Sequence, residues 1–151
     1  MNIDGLVCNS SGLAGCGGLL RDSEGHWIVG FVKSTYANSS IVAELLALRE
    51  GLSLCVERDC HVVEIELDAS AAISLVACNV NSYGDLYGLV DDCRELLLRL
   101  PQAKLSHYSR EANFCVDALA KMGSASSNMS LVFVPPPPPP PLPSLSFCMM
   151  T

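Results

Sequence analysis

Apolar and polar positions along this chain change period several times, and each change marks an element. Residues 2–8 read as a strand, followed by a Gly/Ser/Asn turn from Asn9 to Gly12. Two apolar runs, Cys16 to Arg21 and Trp27 to Lys33, are joined by Asp22, Ser23, Glu24 and Gly25, which predicts a hairpin. From Ser40 the spacing becomes helical: Val42, Leu45, Leu46, Leu48, Leu52 and Cys55 recur three or four residues apart, with Ser39 or Ser40 available as N-cap. His61 to Leu67, with Val62, Val63 and Ile65, suits a strand buried on at least one face. Helices are predicted over residues 70–78 and about 85–99. The second carries Leu86, Leu89, Val90, Cys93, Leu96 and Leu97 at core spacing and closes before Pro101. Ala103 to Tyr108 forms a last strand, and a final helix over about 112–122 carries Val116, Leu119 and Ala120.

The predicted order is βββαβααβα. A meander followed by alternating strands and helices implies an α/β fold, one five-stranded mixed sheet with helices on its faces. The compact domain is expected to span residues 1–123. Beyond Gly123 a Ser/Ala/Asn-rich stretch leads into an unbroken proline run, Pro135 to Pro141, which cannot donate backbone hydrogen bonds and favours an extended polyproline helix. Residues 124–151 are therefore read as a Ser-rich, then Pro-rich flexible tail. Weak contacts of this tail with an aromatic-lined partner groove are one reading, although no flanking Arg or Lys supplies an orienting charge. No internal repeat is present.

Composition narrows the class. At 151 residues, half of them hydrophobic, the chain suits a single packed domain, and no stretch approaches the roughly 20 apolar residues of a spanning helix. The start lacks a basic region followed by an apolar run, so no secretory signal and no membrane partner are expected. The reading is an intracellular monomer of nucleus or cytoplasm. Eight cysteines (8, 16, 55, 60, 78, 93, 115 and 148) include no Cys-x-x-Cys pair, and most fall within apolar stretches. Buried reduced thiols are expected, rather than a zinc site or a disulfide framework. A net charge of −7 argues against strong nonspecific nucleic-acid binding.

The chemistry rests on four acids set in apolar elements: Asp4 in the first strand, Glu44 at the head of the first long helix, Asp68 at the carboxyl end of the His61–Leu67 strand, and Asp117 in the last helix. Glu44 lies in line with Ala47, Leu48 and Gly51, small or apolar residues that let the helix approach a sheet, so it should face inward. A solvated helix-start glutamate is the alternative. Carboxylates in such surroundings are costly unless something cationic compensates them, and hard oxygen donors suit Mg²⁺ or Mn²⁺. Two such ions about 3.5–4 Å apart promote in-line phosphodiester hydrolysis. Two divalent ions on four carboxylates would leave a net charge of about −3, so the acidity weighs little against a phosphate substrate.

The words around these acids are more specific. Asn2 to Gly5 (NIDG), residues 12–31 (GLAGCGGLLRDSEGHWIVGF), 43–52 (AELLALREGL), 63–68 (VEIELD), 91–97 (DDCRELL) and 106–123 (SHYSREANFCVDALAKMG) resemble, in order, the ribonuclease H type 1 family, in particular plant ribonuclease H-like domains related to retroelement reverse transcriptases. The resemblance covers residues 2–123 and implies a ribonuclease H-like three-layer fold. It also implies an endonuclease that cleaves the RNA strand of RNA/DNA hybrids with two Mg²⁺ (or Mn²⁺) held by Asp4, Glu44, Asp68 and Asp117.

By the same resemblance, His107 falls near a loop histidine that aids product release or proton transfer in some members, with an ordinary strand-end histidine as the favoured alternative. Asn113 matches an asparagine near the substrate backbone or serves as a plain N-cap. Gly5 and the Asn9–Gly12 turn match a stretch that approaches the RNA strand, where small residues permit close backbone contact. No basic protrusion is present, which leaves Lys104, Arg110 and Lys121 as candidate backbone contacts. Only three residues precede Asp4, so Met1 to Ile3 are expected to pair poorly. The alternative to a hydrolase is a decayed or domesticated retroelement-derived nucleic-acid-binding module.

Overall fold

The computed structural model describes residues 1–8, 12–78, 84–107 and 114–134. Its elements are β1 (Asn2–Val7), β2 (Leu13–Arg21), β3 (Trp27–Tyr36), α1 (Ser40–Glu57), β4 (Val62–Leu67), α2 (Ser70–Ala77), a 3₁₀ turn (Gly84–Leu86) leading into α3 (Tyr87–Leu98), β5 (Gln102–His107), α4 (Phe114–Ser124) and β6 (Ser130–Phe133). The strands form one mixed sheet in the order β5-β4-β1-β2-β3-β6. Among the described residues no helix is long and apolar enough to cross a membrane.

Local chemistry accounts for the boundaries. The β2–β3 hairpin closes on Asp22, whose Oδ1 accepts from the N–H groups of Glu24 and His26, both at 2.9 Å, while Gly25 takes φ +87°. Helix α1 begins where Ser39 Oγ accepts from Val42 N–H at 3.3 Å. The far end of α2 is closed from outside: the Arg94 guanidinium of α3 donates to the carbonyls of Leu75 (3.0 Å), Val76 (3.1 Å) and Cys78. That contact fixes the short helix that follows Asp68.

Strand β1 is fully paired, contrary to the expectation from its short lead. All six of its residues pair antiparallel with β2, from Asn2↔Leu19 to Val7↔Ala14. On the other side it meets β4 in parallel at Asn2↔Glu66. The Met1 amino group donates to Glu64 O and the Glu66 N–H to Met1 O, both at 2.8 Å, and Asn2 Nδ2 donates to Glu66 Oε2 at 3.1 Å. Met1 and Ile3 are buried. Register with two neighbours, rather than strand length, holds this segment.

The sheet has six strands, not five. The sixth comes from the stretch read as tail: β6 pairs antiparallel with β3 from Gly30↔Phe133 to Lys33↔Ser130. Ser34 ties it in: its N–H donates to Met129 O at 2.7 Å, and its Oγ accepts from the Met129 N–H at 3.0 Å and donates to Gly123 O at 2.7 Å. The Phe133 ring rests against Trp27, with centroids 5.6 Å apart. The proline run lies outside the described residues.

Alternation along β1 and β2 sends helices to opposite faces. Ile3, Gly5 and Cys16 face α1, whereas Asp4, Gly15 and Gly17 face α4. The main core lies on the α1 side, where Ile3, Leu45, Leu48, Leu52, Ile65 and Leu67 are fully buried. Each such side chain contributes about 1.5–3 kcal/mol over exposure. On the opposite face α4 sits directly on backbone. A Cβ at Gly15 would overlap Ala120 O and Ser124 N, and one at Gly17 would stand 2.7 Å from Ala120 N.

This packing makes a testable demand. Gly15→Ala should lose roughly 2–4 kcal/mol in denaturant unfolding, because backbone rather than a movable side chain must give way. Gly88→Ala in α3, where an added Cβ meets nothing within 4 Å, should be neutral or gain up to about 1 kcal/mol.

Candidate active site

Three elements converge on one point. Continuing the Asn2↔Glu66 register by two residues sets Asp4 of β1 beside Asp68, just past the carboxyl end of β4. Glu44 reaches the same place from the first turns of α1, and it can do so because Gly5 has no side chain: a Cβ there would overlap the carbonyl of Ala43. One carboxylate oxygen from each of Asp4, Glu44 and Asp68 lies within 4.8 Å of the other two. Asp117, in the first turn of α4, hydrogen-bonds the Asp4 side chain from the opposite face of the sheet. It also holds Lys121 one turn along, Nζ–Oδ2 2.9 Å.

The cluster is electrostatically crowded. Asp4 and Glu44 are 7% and 8% exposed, which makes both scarce in solvent. Burial, followed by the hydrogen bond with Asp117, pushes the Asp4 carboxyl up to about 7; its bond with Glu44 works the other way. Burial pushes Glu44 up to about 9, helped by the negative charges of Asp4 and Asp68 and eased by the Gly5 N–H. Glu44 Oε2 is buried with no hydrogen-bond partner among the described residues. An orphaned carboxylate oxygen amid like charges, with only hard oxygen donors around it, fits a hard divalent cation.

The remaining sequence candidates divide. His107 ends β5 in register with Leu67, and its Nε2 lies 3.2 Å from Asp68 O, where the ring N–H donates to the carbonyl; it is a strand-end histidine braced on the backbone of Asp68. Gly5 is buried, and a Cβ there would meet the Ala43 carbonyl of α1. Lys121, a candidate backbone contact, is engaged by Asp117. Asn9, Arg110 and Asn113 lie outside the described residues. The Gly5 N–H to Glu44 and the Lys121 pairing were not anticipated, although the i, i+4 spacing of Asp117 and Lys121 carries a signal for the latter.

Solved structures share this architecture. Ribonuclease H1 of Halobacterium salinarum aligns with a TM-score of 0.74 at 23% identity, over 81% of this chain and 93% of that one. The N-terminal RNase H domain of a Mycobacterium tuberculosis protein aligns with a TM-score of 0.75 at 19% identity, over 83% and 94%. A ribonuclease H1 isolated from compost, solved in complex with an RNA/DNA hybrid, aligns with a TM-score of 0.71 at 21% identity, over 82% and 94%. The fold is therefore that of a ribonuclease H-type domain. A family model described as reverse transcriptase-like matches residues 2–123, and the chain belongs to that family. A protein of Arabidopsis thaliana whose name places it among ribonuclease H proteins is 32% identical over 120 residues. That match takes in 80% of this chain but only 19% of the relative's length.

The raised carboxyls fix a pH dependence. Unfolded, Asp4 and Glu44 would release their protons near 3.8 and 4.5; folded, they hold them to about 7 and 9. The metal-free fold should therefore lose stability as pH rises through that window and be most stable, as far as these groups decide it, below it. Melting temperature measured from pH 5 to 9 should fall in the metal-free protein, and Glu44→Gln should flatten the slope and raise the melting temperature at pH 8 by roughly 5 °C or more.

Proposed function

We propose that this domain is a divalent-metal-dependent endonuclease that hydrolyses the RNA strand of RNA/DNA hybrids, with Asp4, Glu44, Asp68 and Asp117 holding two Mg²⁺ or Mn²⁺ ions. The observation that carries the reading is the convergence of Asp4, Glu44 and Asp68 within 4.8 Å together with the unpartnered Glu44 Oε2. The hybrid bound by the compost ribonuclease H1 supports the substrate class. Bound divalent cations would supply activation of the attacking water and charge stabilisation at the phosphoryl and leaving oxygens. The chain's own contribution is placement. Asp4 and Asp68 stand on adjacent strands, Glu44 is pressed against β1 across Gly5, and Asp117 closes the set from the far face while Lys121 balances part of its charge. His107 braces the backbone of Asp68.

At the N-terminal end of α1 lies an open groove of about 870 Å³, lined by Gly12, Tyr36, Asn38, Ser39, Val42 and Leu86. Exposed Tyr36 offers a ring face for a base or sugar. A second reading, a nucleic-acid-binding module that has lost catalysis, draws on charge: the chain carries a net −7, and Lys33, Arg49 and Lys121 are already engaged by Glu50, Asp92 and Asp117.

Cleavage of an end-labelled RNA/DNA hybrid separates the two readings. With millimolar Mg²⁺ the protein should cut the RNA strand, chelation should abolish cutting, and Asp68→Asn should lower the rate by roughly 100-fold or more while leaving the melting temperature close to the parent's. An uncut hybrid, or equal cutting by Asp68→Asn, removes the hydrolase reading.

A further inference from the structure

The C-terminal end of α1 closes in an unusual way. Asp59 takes φ +52° and is the one non-glycine residue with positive φ among those described. Its N–H donates to Val56 O at 3.1 Å, and the Cys60 N–H donates to Cys55 O at 3.1 Å. This paired closure, six-to-one and five-to-two, ends the helix by folding the chain back on its last turn, and it presses together the side chains at the two ends of the outer bond. Apolar residues ordinarily occupy those two places. Here both are cysteines.

Cys55 is fully buried in the last turn of α1 and Cys60 is half-buried just before β4. After burial, the nearby Cys60 side chain helps hold the Cys55 thiol protonated. A backbone closure of this kind keeps the two Cα atoms close to the roughly 4.4–6.8 Å that a disulfide spans. Neither is bonded covalently: all described cysteines are reduced. The other described thiols are placed differently. Cys16 and Cys93 are buried against carbonyls of α1, Ala43 and Leu45, whereas Cys8 follows β1, Cys78 follows α2 and Cys115 lies on α4.

We infer that Cys55 and Cys60 form a reversible oxidation site, which closes to a disulfide when the reduced protein meets an oxidant of the peroxide class. The Cys60 thiolate, the more accessible of the two, attacks a peroxide oxygen; the O–O bond breaks, leaving Cys60 as a sulfenic acid and releasing hydroxide, which takes up the proton the thiol gave to solvent and leaves as one water. The Cys55 sulfur then attacks the Cys60 sulfur, the S–S bond forms as the S–O bond breaks, and the hydroxyl departs with the Cys55 proton as a second water. Two electrons pass from the thiols to the peroxide. Burial pushes the Cys55 thiol up to about 12, which makes it the poorer first target for an outside oxidant. The new bond ties the end of α1, which carries Glu44, to the start of β4, which leads to Asp68.

Limiting hydrogen peroxide on the reduced full-length chain, followed by alkylation and peptide mapping by mass spectrometry, tests this. The expected main product is a Cys55–Cys60 cross-link, lighter by two hydrogens and reversed by dithiothreitol. Cys60→Ser should abolish it, and Cys55→Ala should leave a sulfenic acid on Cys60 that a dimedone probe captures. Because the closure depends on the left-handed conformation at residue 59, Asp59→Gly should keep the rate of cross-linking and Asp59→Val should slow it several-fold. The inference is overturned if peroxide modifies Cys8, Cys78 or Cys115 while Cys55 and Cys60 remain free to alkylate, or if the Asp59→Val and Asp59→Gly chains close equally fast.

Discussion

Burial of Asp4 and Glu44 against each other, with Asp68 and Asp117 at their edge, is the constraint around which this domain is arranged. Two carboxyls withdrawn from water and set among like charges repel one another unless protons or cations intervene. The fold tolerates them because other interactions hold their elements in place. Strand β1 is locked between β2 and β4, α1 is held by a continuous apolar face from Leu45 to Cys55, and α4 is seated on glycines. The site is thus a local electrostatic penalty maintained by packing elsewhere, as functional sites commonly are.

Glycine sets how near the two helices come. Gly5 lets α1 lie on β1 closely enough for Glu44 to meet Asp4, and Gly15 and Gly17 let α4 lie on β2 closely enough for Asp117 to do the same from behind. Side chains at these positions would separate the helices from the sheet and the acids from one another. The two faces serve different ends: apolar burial on the α1 side supplies most of the stability, and close backbone approach on the α4 side supplies alignment.

Much of this was legible in the residue pattern. Helical spacing from Val42 to Cys55, the β-branched run Val62 to Ile65, and the Asp22–Gly25 turn each lead to the element found, and inward-facing Glu44 follows from its alignment with Ala47, Leu48 and Gly51. What escaped depends on partners distant in sequence. The pairing of Met1 to Ile3 is made by β2 and by the backbone of Glu64 and Glu66. Strand β6 is four apolar or small residues between a Ser-rich stretch and prolines, and only docking along β3 through Ser34 makes it a strand. The close seating of α1 at Gly5 likewise rests on a residue far along the chain, Ala43.

At neutral pH Glu44 holds its proton and Asp4 holds one about half the time, so a divalent cation binding here would have to displace them. Isothermal titration of Mg²⁺ or Mn²⁺ into the metal-free protein at pH 7, repeated in buffers of different ionisation enthalpy, counts those protons directly. The account predicts release of about one proton or more per protein on binding, lost in Glu44→Gln. Binding with no proton release, or no binding at millimolar cation, would contradict it.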